Sequence, residues 1–239
     1  MVEMSLLLTE MTGRVLVLTL NRPDIGNRVS KPLALDLMAT LDDAEQDGAV
    51  GAVVLTGAGE AFCIGGDHSG SGTSPEAIQS FAEAFGNLNR RLQTFGKPVF
   101  AAINGDAHAG GFSLLSCCDI AVMSETATLA LPELEHGLFP ILAMATVQRV
   151  MGRKLFFELV YEGRRLTAAE ARDLWFVNEV VPAAQVLERT LQRAAKVAEA
   201  PASSLKLGRQ GYETMMGGDL DVALRHARTL LPLLAGSRA

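Results

Sequence analysis

The apolar residues of this chain alternate between the spacing of a β-strand and that of an α-helix, and this alternation limits the available folds most. RVLVLTL (14–20) places branched apolar residues at alternate positions, which is typical of a strand. Turn-forming NRPDIGN follows. The segment 30–47 then carries leucines at helical spacing behind Ser30, a residue type that commonly caps helices. These three segments predict one strand, one loop and one helix.

The same unit recurs along the first 140 residues. Further apolar strands are predicted at 50–57, 97–105 and 119–124, and an amphipathic helix at 77–95. Such an alternation predicts an α/β fold with a mainly parallel sheet. Beyond residue 141 strand patterns nearly vanish, and the helical patterns there are 145–163, 167–177 and 182–200.

Composition excludes several classes of protein. With 49% hydrophobic and 20% charged residues and a formal net charge of -6, the chain has a globular composition and is disfavoured as a partner of nucleic acid or of an anionic membrane. Its three cysteines, Cys63, Cys117 and Cys118, have no CxxC spacing, so neither a disulfide framework nor a zinc site is indicated. No metal site is predicted. Without an export signal or a long apolar run, we expect a cytoplasmic protein.

Two glycine-rich turns each follow an apolar strand. FCIGGD contains Gly65 and Gly66, and AHAGGF contains Gly110 and Gly111. Glycine lets the backbone approach a ligand closely, and the amide N–H groups at a helix start lie at the positive end of the helix dipole. Two such turns side by side would form an oxyanion hole. Glycines that only make tight turns are the alternative interpretation.

Five segments have the order and spacing typical of one family: LNRPDIGNRVS, VVLTGAGEAFCIGGD, AAINGDAHAGGFSLLSCCDIAV, LALPELEHGLFP and LTAAEARDLWFVNEVVP. Through them the chain resembles the crotonase superfamily of enoyl-CoA hydratases and isomerases, over roughly residues 5 to 215. The first segment includes the loop before the first helix, and the second and third contain the two glycine pairs.

The resemblance implies an α/β fold, a crotonase-like spiral of β/α (ββα) turns with a helical C-terminal trimerisation region. We expect a core domain over 1–185 and a helical region for oligomerisation over 186–239. The implied substrate is an acyl-CoA thioester, with coenzyme A as part of the substrate and no other cofactor, and the implied assembly is a homotrimer or a hexamer of paired trimers. The backbone N–H groups of Gly66 and Gly110 map onto the oxyanion donors of the family.

The carboxylates of this chain point to a reaction type. Hydratases that share the resemblance place one glutamate two residues beyond the glycine pair, where this chain has Ser113, and a second in the PE motif, where it has Glu133. Adding water to a double bond needs a positioned nucleophile and a proton donor, whereas moving a double bond needs one base. With Glu133 as that acid and base, we expect an enoyl-CoA isomerase. An enoyl-CoA hydratase is the alternative.

Other residues are candidates for substrate binding. Their positions next to the glycine turns and Glu133 suggest contact with the acyl group, the pantetheine or the coenzyme A phosphates, and they are Arg28, Ile64, Asp67, His68, His108, Ser113, His136 and Phe139. Arg28 is considered for the phosphates because Asp67 and His68 stand where relatives often carry a basic residue. His136, three residues after Glu133, could alter its pKa, and Ser113 is expected to pack or to make one hydrogen bond.

Two hypotheses of other classes stay open. An acyl-CoA hydrolase or C–C bond hydrolase would use Glu133 or His136 to activate water. A catalytically idle relative that binds acyl-CoA esters would account for Ser113 in place of a carboxylate, although Glu133 and both oxyanion glycines argue against it. GAGEAF (57–62) lacks the third glycine of a dinucleotide fingerprint, so we do not expect NAD.

Overall fold

A computed structural model describes residues 5–67 and 74–236. The strands are β1 Leu7–Thr12, β2 Val15–Leu20, β3 Ala52–Gly57, β4 Val99–Ile103, β5 Ala107–His108, β6 Ile120–Ser124, β7 Thr128–Ala130, β8 Leu166–Thr167 and β9 Glu179–Val181. The helices are α1 Lys31–Gln46, α2 Pro75–Thr94, α3 Gly110–Ser116, α4 Ile141–Val147, α5 Arg153–Tyr161, α6 Ala168–Asp173, α7 Val186–Ala198, α8 Ala202–Met216 and α9 Leu220–Gly236.

Six strands form one sheet in the order β1-β2-β3-β4-β6-β9. The hairpin β1–β2 is antiparallel, and every other pair in this sheet is parallel. A smaller sheet has the order β5-β7-β8. The expectation of an α/β fold with a mainly parallel sheet is therefore confirmed, and the period-two pattern of the sequence matches the strands. Ser30 caps α1 by accepting a hydrogen bond from the amide of Leu33.

Helices cover both faces of the large sheet. Alternate residues of each strand, such as Leu55 of β3, join the main core with α1 and α2. The residues between them, such as Val54, pack with Val186, Ala194 and Ala198 of α7 in a second core. This two-sided burial explains the continuous apolar runs of the parallel strands. The predicted boundary at residue 185 stays a prediction, although α7 packs directly on the sheet.

The structure corrects the prediction for the region beyond residue 141. Residues 167–177 were expected to form one helix, but α6 ends at Asp173 and Trp175 has a left-handed backbone with φ of 63°. A left-handed residue cannot continue a right-handed helix. The chain then enters β9, which pairs with β6 and extends the large sheet. The residues 145–163 are likewise divided between α4 and α5. In the described part of the chain no helix is long and apolar enough to cross a membrane.

Candidate active site

Beyond the ends of the central strands lies a cavity of about 440 Å³. Its wall is mostly apolar and comes from α2, α4 and the segment that joins β7 to α4. The apolar side chains of this wall are Ile64, Ile78, Phe81, Ala82, Phe85, Ala109, Pro132, Leu138, Phe139, Pro140, Ile141, Leu142 and Ala143. The remaining lining residues are Gly65, Gly66, Gly110, Arg28, Glu133 and His136. An apolar cavity with a few convergent polar groups is the usual form of a small-molecule site.

The two glycine turns meet in the wall of this cavity. The segment around Cys63 pairs in parallel with Ala107, since the amide of Cys63 donates to Asp106 and the amide of His108 donates to Cys63. A methyl carbon built on Gly110 would lie only 3.4 Å from the amide nitrogen of Gly66. Among the described residues, neither of these two N–H groups donates a hydrogen bond to the protein. Two free backbone donors therefore lie close together in the cavity wall.

An unusual backbone conformation precedes the second donor. Ala109 has φ of 51° and ψ of −116°, a conformation that costs free energy for a residue with a side chain. Its amide is held by the carbonyl of Ala130 on β7. The next residue, Gly110, begins α3, so its N–H is one of the groups at a helix start that have no partner within the helix. The strained backbone of Ala109 therefore lies in the turn that presents the Gly110 N–H to the cavity.

Glu133 supplies the carboxylate of the cavity. It lies on a 3₁₀ helix, Pro132–His136, and its Oε2 atom is buried without a hydrogen-bond partner among the described residues. Burial raises the pKa of Glu133, opposed only in part by a hydrogen bond from its own backbone amide. A glutamate whose pKa is raised by burial, with one carboxylate oxygen left without a donor, is a stronger base than an ordinary glutamate. The prediction placed this residue correctly at the cavity, and its catalytic role remains a proposal.

Four more of the predicted substrate-binding residues line the same cavity: Arg28, Ile64, His136 and Phe139. With Glu133, Gly66 and Gly110, seven of the predicted site residues line this cavity. Ile64 and Phe139 are apolar wall residues, whereas Arg28 and His136 are the lining residues that can carry a positive charge.

Ser113 does not line the cavity. It is fully buried, accepts a hydrogen bond from Asn89 Nδ2 at 2.9 Å and shares another of 2.9 Å with the hydroxyl of Thr146. These partners join α2, α3 and α4 behind the cavity wall. The expectation that Ser113 packs or makes a hydrogen bond agrees with this arrangement, while its assignment to substrate binding has no contact to support it.

His108 also points away from the cavity. Its Nε2 lies 2.8 Å from the hydroxyl of Thr128, which itself donates to the carboxylate of Asp106. Because the hydroxyl proton goes to Asp106, the imidazole donates its Nε2 proton to Thr128. Burial lowers the pKa of His108, opposed by the charge of Asp106. The neutral ring thus joins β5 to β7 and supports the turn before Gly110.

Asp67, in the loop after the first glycine pair, was expected to contact the substrate but does not line the cavity. Asp67 forms an ion pair of 2.6 Å with Arg22 and is absent from the cavity wall, and its amide donates to Val29. His68 lies outside the described residues. Asp67 therefore helps to fix the loop that carries Gly66.

Sequence reasoning missed the helical walls of the cavity. Ile78, Phe81 and Phe85 of α2 and Ile141 and Leu142 of α4 face it. The apolar stripe of α2 is visible in the sequence, but a stripe of this kind equally indicates core packing. The signal that separates the two roles is the partial exposure of Ile78 and Ile141, which only the folded chain shows.

The raised pKa of Glu133 predicts a pH-dependent change in stability. The unfolded chain has the ordinary Glu pKa of 4.5, so between that value and the raised one the folded protein binds more protons. Stability contributed by Glu133 is therefore lost as pH rises through this window. We expect the free energy of unfolding of Glu133→Gln, measured with urea, to increase relative to that of the wild type as pH rises through this window. Above the window the difference should stay constant. A difference that does not vary with pH would contradict the buried carboxylate.

The fold and the cavity define a class of protein in which two free backbone amides and a carboxylate line one mostly apolar cavity. Comparisons with known proteins identify the family to which such a chain belongs. A family model described as enoyl-CoA hydratase/isomerase matches residues 10–230. The chain is 36% identical to a putative enoyl-CoA hydratase of Thermus thermophilus over 219 residues, which are 90% of this chain and 87% of that protein.

Two further comparisons cover nearly the whole chain. It is 32% identical to the 2,3-dehydroadipyl-CoA hydratase of Escherichia coli, across 98% of this chain and 92% of that protein. The crystal structure of an enoyl-CoA hydratase of Mycobacterium smegmatis superposes with a TM-score of 0.91 at 29% identity, covering 96% of this chain and 91% of the other. The chain belongs to the enoyl-CoA hydratase/isomerase family, and its fold is that of the crotonase superfamily.

Proposed function

We propose that this enzyme moves the double bond of an enoyl-CoA thioester from the 3,4 to the 2,3 position. The observation that carries the proposal is that Glu133 is the single carboxylate among the described residues of the cavity wall, while Ser113 is buried and cannot serve as a second acid. One base that removes a proton and returns it elsewhere is sufficient for this reaction.

In the proposed mechanism the thioester oxygen accepts hydrogen bonds from the N–H groups of Gly66 and Gly110. Glu133 removes a proton from carbon 2, the electron pair of the broken C–H bond forms a C=C bond to the carbonyl carbon, and the carbonyl π pair moves to the oxygen. The oxygen pair then re-forms the C=O bond, the pair between carbons 1 and 2 becomes the double bond between carbons 2 and 3, and the π pair of the former C3=C4 bond takes the proton from the same carboxyl group at carbon 4. Donors that are already oriented stabilise the oxyanion without reorganisation.

The apolar walls of the cavity support the assignment of Glu133 as the base. Partial burial of the carboxylate raises the pKa of Glu133, and a glutamate with a raised pKa is better suited to accept and return a proton near neutral pH.

Hydration of a 2-enoyl-CoA is the second candidate function. The printed names of the relatives support it better than double-bond migration, since the relatives from Thermus thermophilus and Escherichia coli are both named as hydratases. For this reaction Glu133 would have to activate the water and also supply the proton to carbon 2, because Ser113 lies behind the wall.

A parallel assay separates the candidates. We expect 3-enoyl-CoA to be converted to 2-enoyl-CoA at least about ten times faster than 2-enoyl-CoA is hydrated, a difference of about 1.4 kcal/mol in barrier. The same samples are analysed for free coenzyme A, because its release would identify a hydrolase. Efficient hydration without migration would replace the first proposal by the second, and binding without any turnover would indicate an idle relative.

The remaining proposals concern assembly and location. The α8–α9 pair exposes apolar side chains that water does not favour, namely Tyr212, Met216, Leu220, Leu224, Leu231 and Leu233. We propose that this surface lies in a homotrimer or a hexamer, and a monomeric mass in solution would contradict that assembly. We also propose that the enzyme is cytoplasmic and uses no cofactor other than the coenzyme A of its substrate. We propose no nucleic-acid or membrane partner for it.

A further inference from the structure

Arg28 is a half-buried cation in the wall of a mostly apolar cavity. Among residues 5–67 and 74–236, no carboxylate lies within 4.0 Å of its guanidinium. Its hydrogen bond, from Nη1 to the carbonyl of Gly66, is long at 3.4 Å. The neighbouring Arg22, in contrast, has a close ion pair with Asp67. A charge that is partly removed from water without a counter-ion lowers stability, which suggests that Arg28 meets an anion when the site is occupied.

The guanidinium of Arg28 lies at the end of the cavity formed by the two glycine turns, where the oxyanion hole is predicted. A methyl carbon built on Gly65 would lie 3.3 Å from Arg28 Nη1 and 3.4 Å from the side chain of Ala109, the residue before the second donor. The first donor, Gly66, is the residue whose carbonyl Arg28 contacts. Arg28 is therefore placed beside both turns that form the predicted oxyanion hole.

The charge of Arg28 acts at this end of the cavity. It opposes the rise that burial causes in the pKa of the Cys63 thiol, on the same segment as Gly66. The pKa of Glu133 is raised by burial and lowered only by its own backbone amide, with no contribution from a cation. A positive charge beside the two amide donors, with a carboxylate in the same cavity wall, is an arrangement that suits enolate formation.

We propose that Arg28 is a catalytic residue that stabilises the enolate oxygen together with the N–H groups of Gly66 and Gly110. The inference rests on the proposed function in one respect, since it assumes that an enolate forms. Arg28 keeps its own protons and charge. As the proton of carbon 2 passes to Glu133 and negative charge develops on the thioester oxygen, the guanidinium attracts that charge.

The coenzyme A phosphates are the competing anion for Arg28, and thioesters of pantetheine, which lack the 3′-phosphate and the pyrophosphate, distinguish the two. We compare Arg28→Gln and Arg28→Lys with Arg172→Gln, a matched change at an exposed arginine away from the cavity. Arg28→Gln is expected to lower kcat about 10²-fold with both the CoA and the pantetheine enoyl thioester, Arg28→Lys to recover part of the loss, and Arg172→Gln to have no effect. A higher KM for the CoA ester alone would overturn the proposal in favour of a phosphate contact.

A second readout needs no turnover, so it remains informative if the enzyme acts on other substrates. The thioester of acetoacetate with pantetheine forms an enolate that absorbs in the ultraviolet, and its absorbance is titrated with pH while bound. A cation at the oxygen lowers the pKa of the bound enol. We expect Arg28→Gln to raise that pKa by at least about one unit, a tenfold change in the ionisation constant. An unchanged pKa in a folded variant that binds the ester would overturn the proposal.

Discussion

Glu133→Gln is expected to lower turnover by about 10²–10⁴-fold, the contribution that a general base typically makes. The amide keeps the size of the side chain and its hydrogen-bonding capacity, so binding of a non-reacting CoA ester should change little. The measurement is steady-state turnover together with calorimetric titration of a saturated acyl-CoA.

The matched control is Glu135→Gln, which makes the same chemical change two residues away on the same 3₁₀ helix, at an exposed side chain outside the cavity wall. We expect it to retain the wild-type rate. If Glu133→Gln turned over substrate at the wild-type rate, Glu133 would not be the base, and His136, the other titratable proton acceptor of the cavity wall, would be tested next.

Gly110→Ala is expected to lower kcat by about 10²–10³-fold, as does the loss of one oxyanion donor. The new methyl carbon would lie 3.4 Å from the amide nitrogen of Gly66 and 3.2 Å from the ring of Phe85. Because the methyl carbon would lie close to the amide of Gly66 and next to the amide of its own residue, we expect it to displace the thioester oxygen from at least one of them. Steady-state kinetics with the favoured enoyl-CoA measure this loss.

Gly86→Ala is the control for this change, since it lies in α2 next to Phe85 and a methyl group there meets nothing within 4 Å. Within a helix this substitution is expected to raise stability by about 0.5–1 kcal/mol and to leave activity unchanged. Equal activities of Gly110→Ala and the wild type would show that the two amides do not bind the reacting oxygen.

The proximity of the two glycine turns could be predicted from local sequence signals. Each turn comes after an apolar strand, β3 or β4, and neighbouring parallel strands bring their carboxyl ends to one edge of the sheet. The residues alone therefore place the two glycine turns side by side, whereas the choice of Gly66 and Gly110 as donors came from the family resemblance. Glu133 could be assigned only through the family resemblance, because a PE motif by itself does not indicate where its carboxylate points.

The orientation of several polar side chains could not be predicted from the sequence. Ser113 and His108 stand within three residues of Gly110, yet they turn to Asn89 and Thr128, which lie about twenty residues away in the chain. A residue's neighbours in sequence do not determine which side of a turn its side chain faces. Likewise the helix predicted over 167–177 ends early because Trp175 adopts a left-handed conformation, which the apolar pattern of this segment did not indicate.

The central claim is that Glu133 and the two glycine amides form an enolate from a CoA thioester, and deuterium exchange tests it most directly. Butanoyl-CoA has no double bond to move or hydrate, so incubation in D₂O isolates proton transfer at carbon 2, which mass spectrometry and proton NMR detect. We predict that the wild type introduces deuterium at carbon 2 and that Glu133→Gln reduces the rate by about 10²-fold or more. Exchange at equal rates in both proteins, or no exchange by a wild type that is active on enoyl-CoA, would contradict the account.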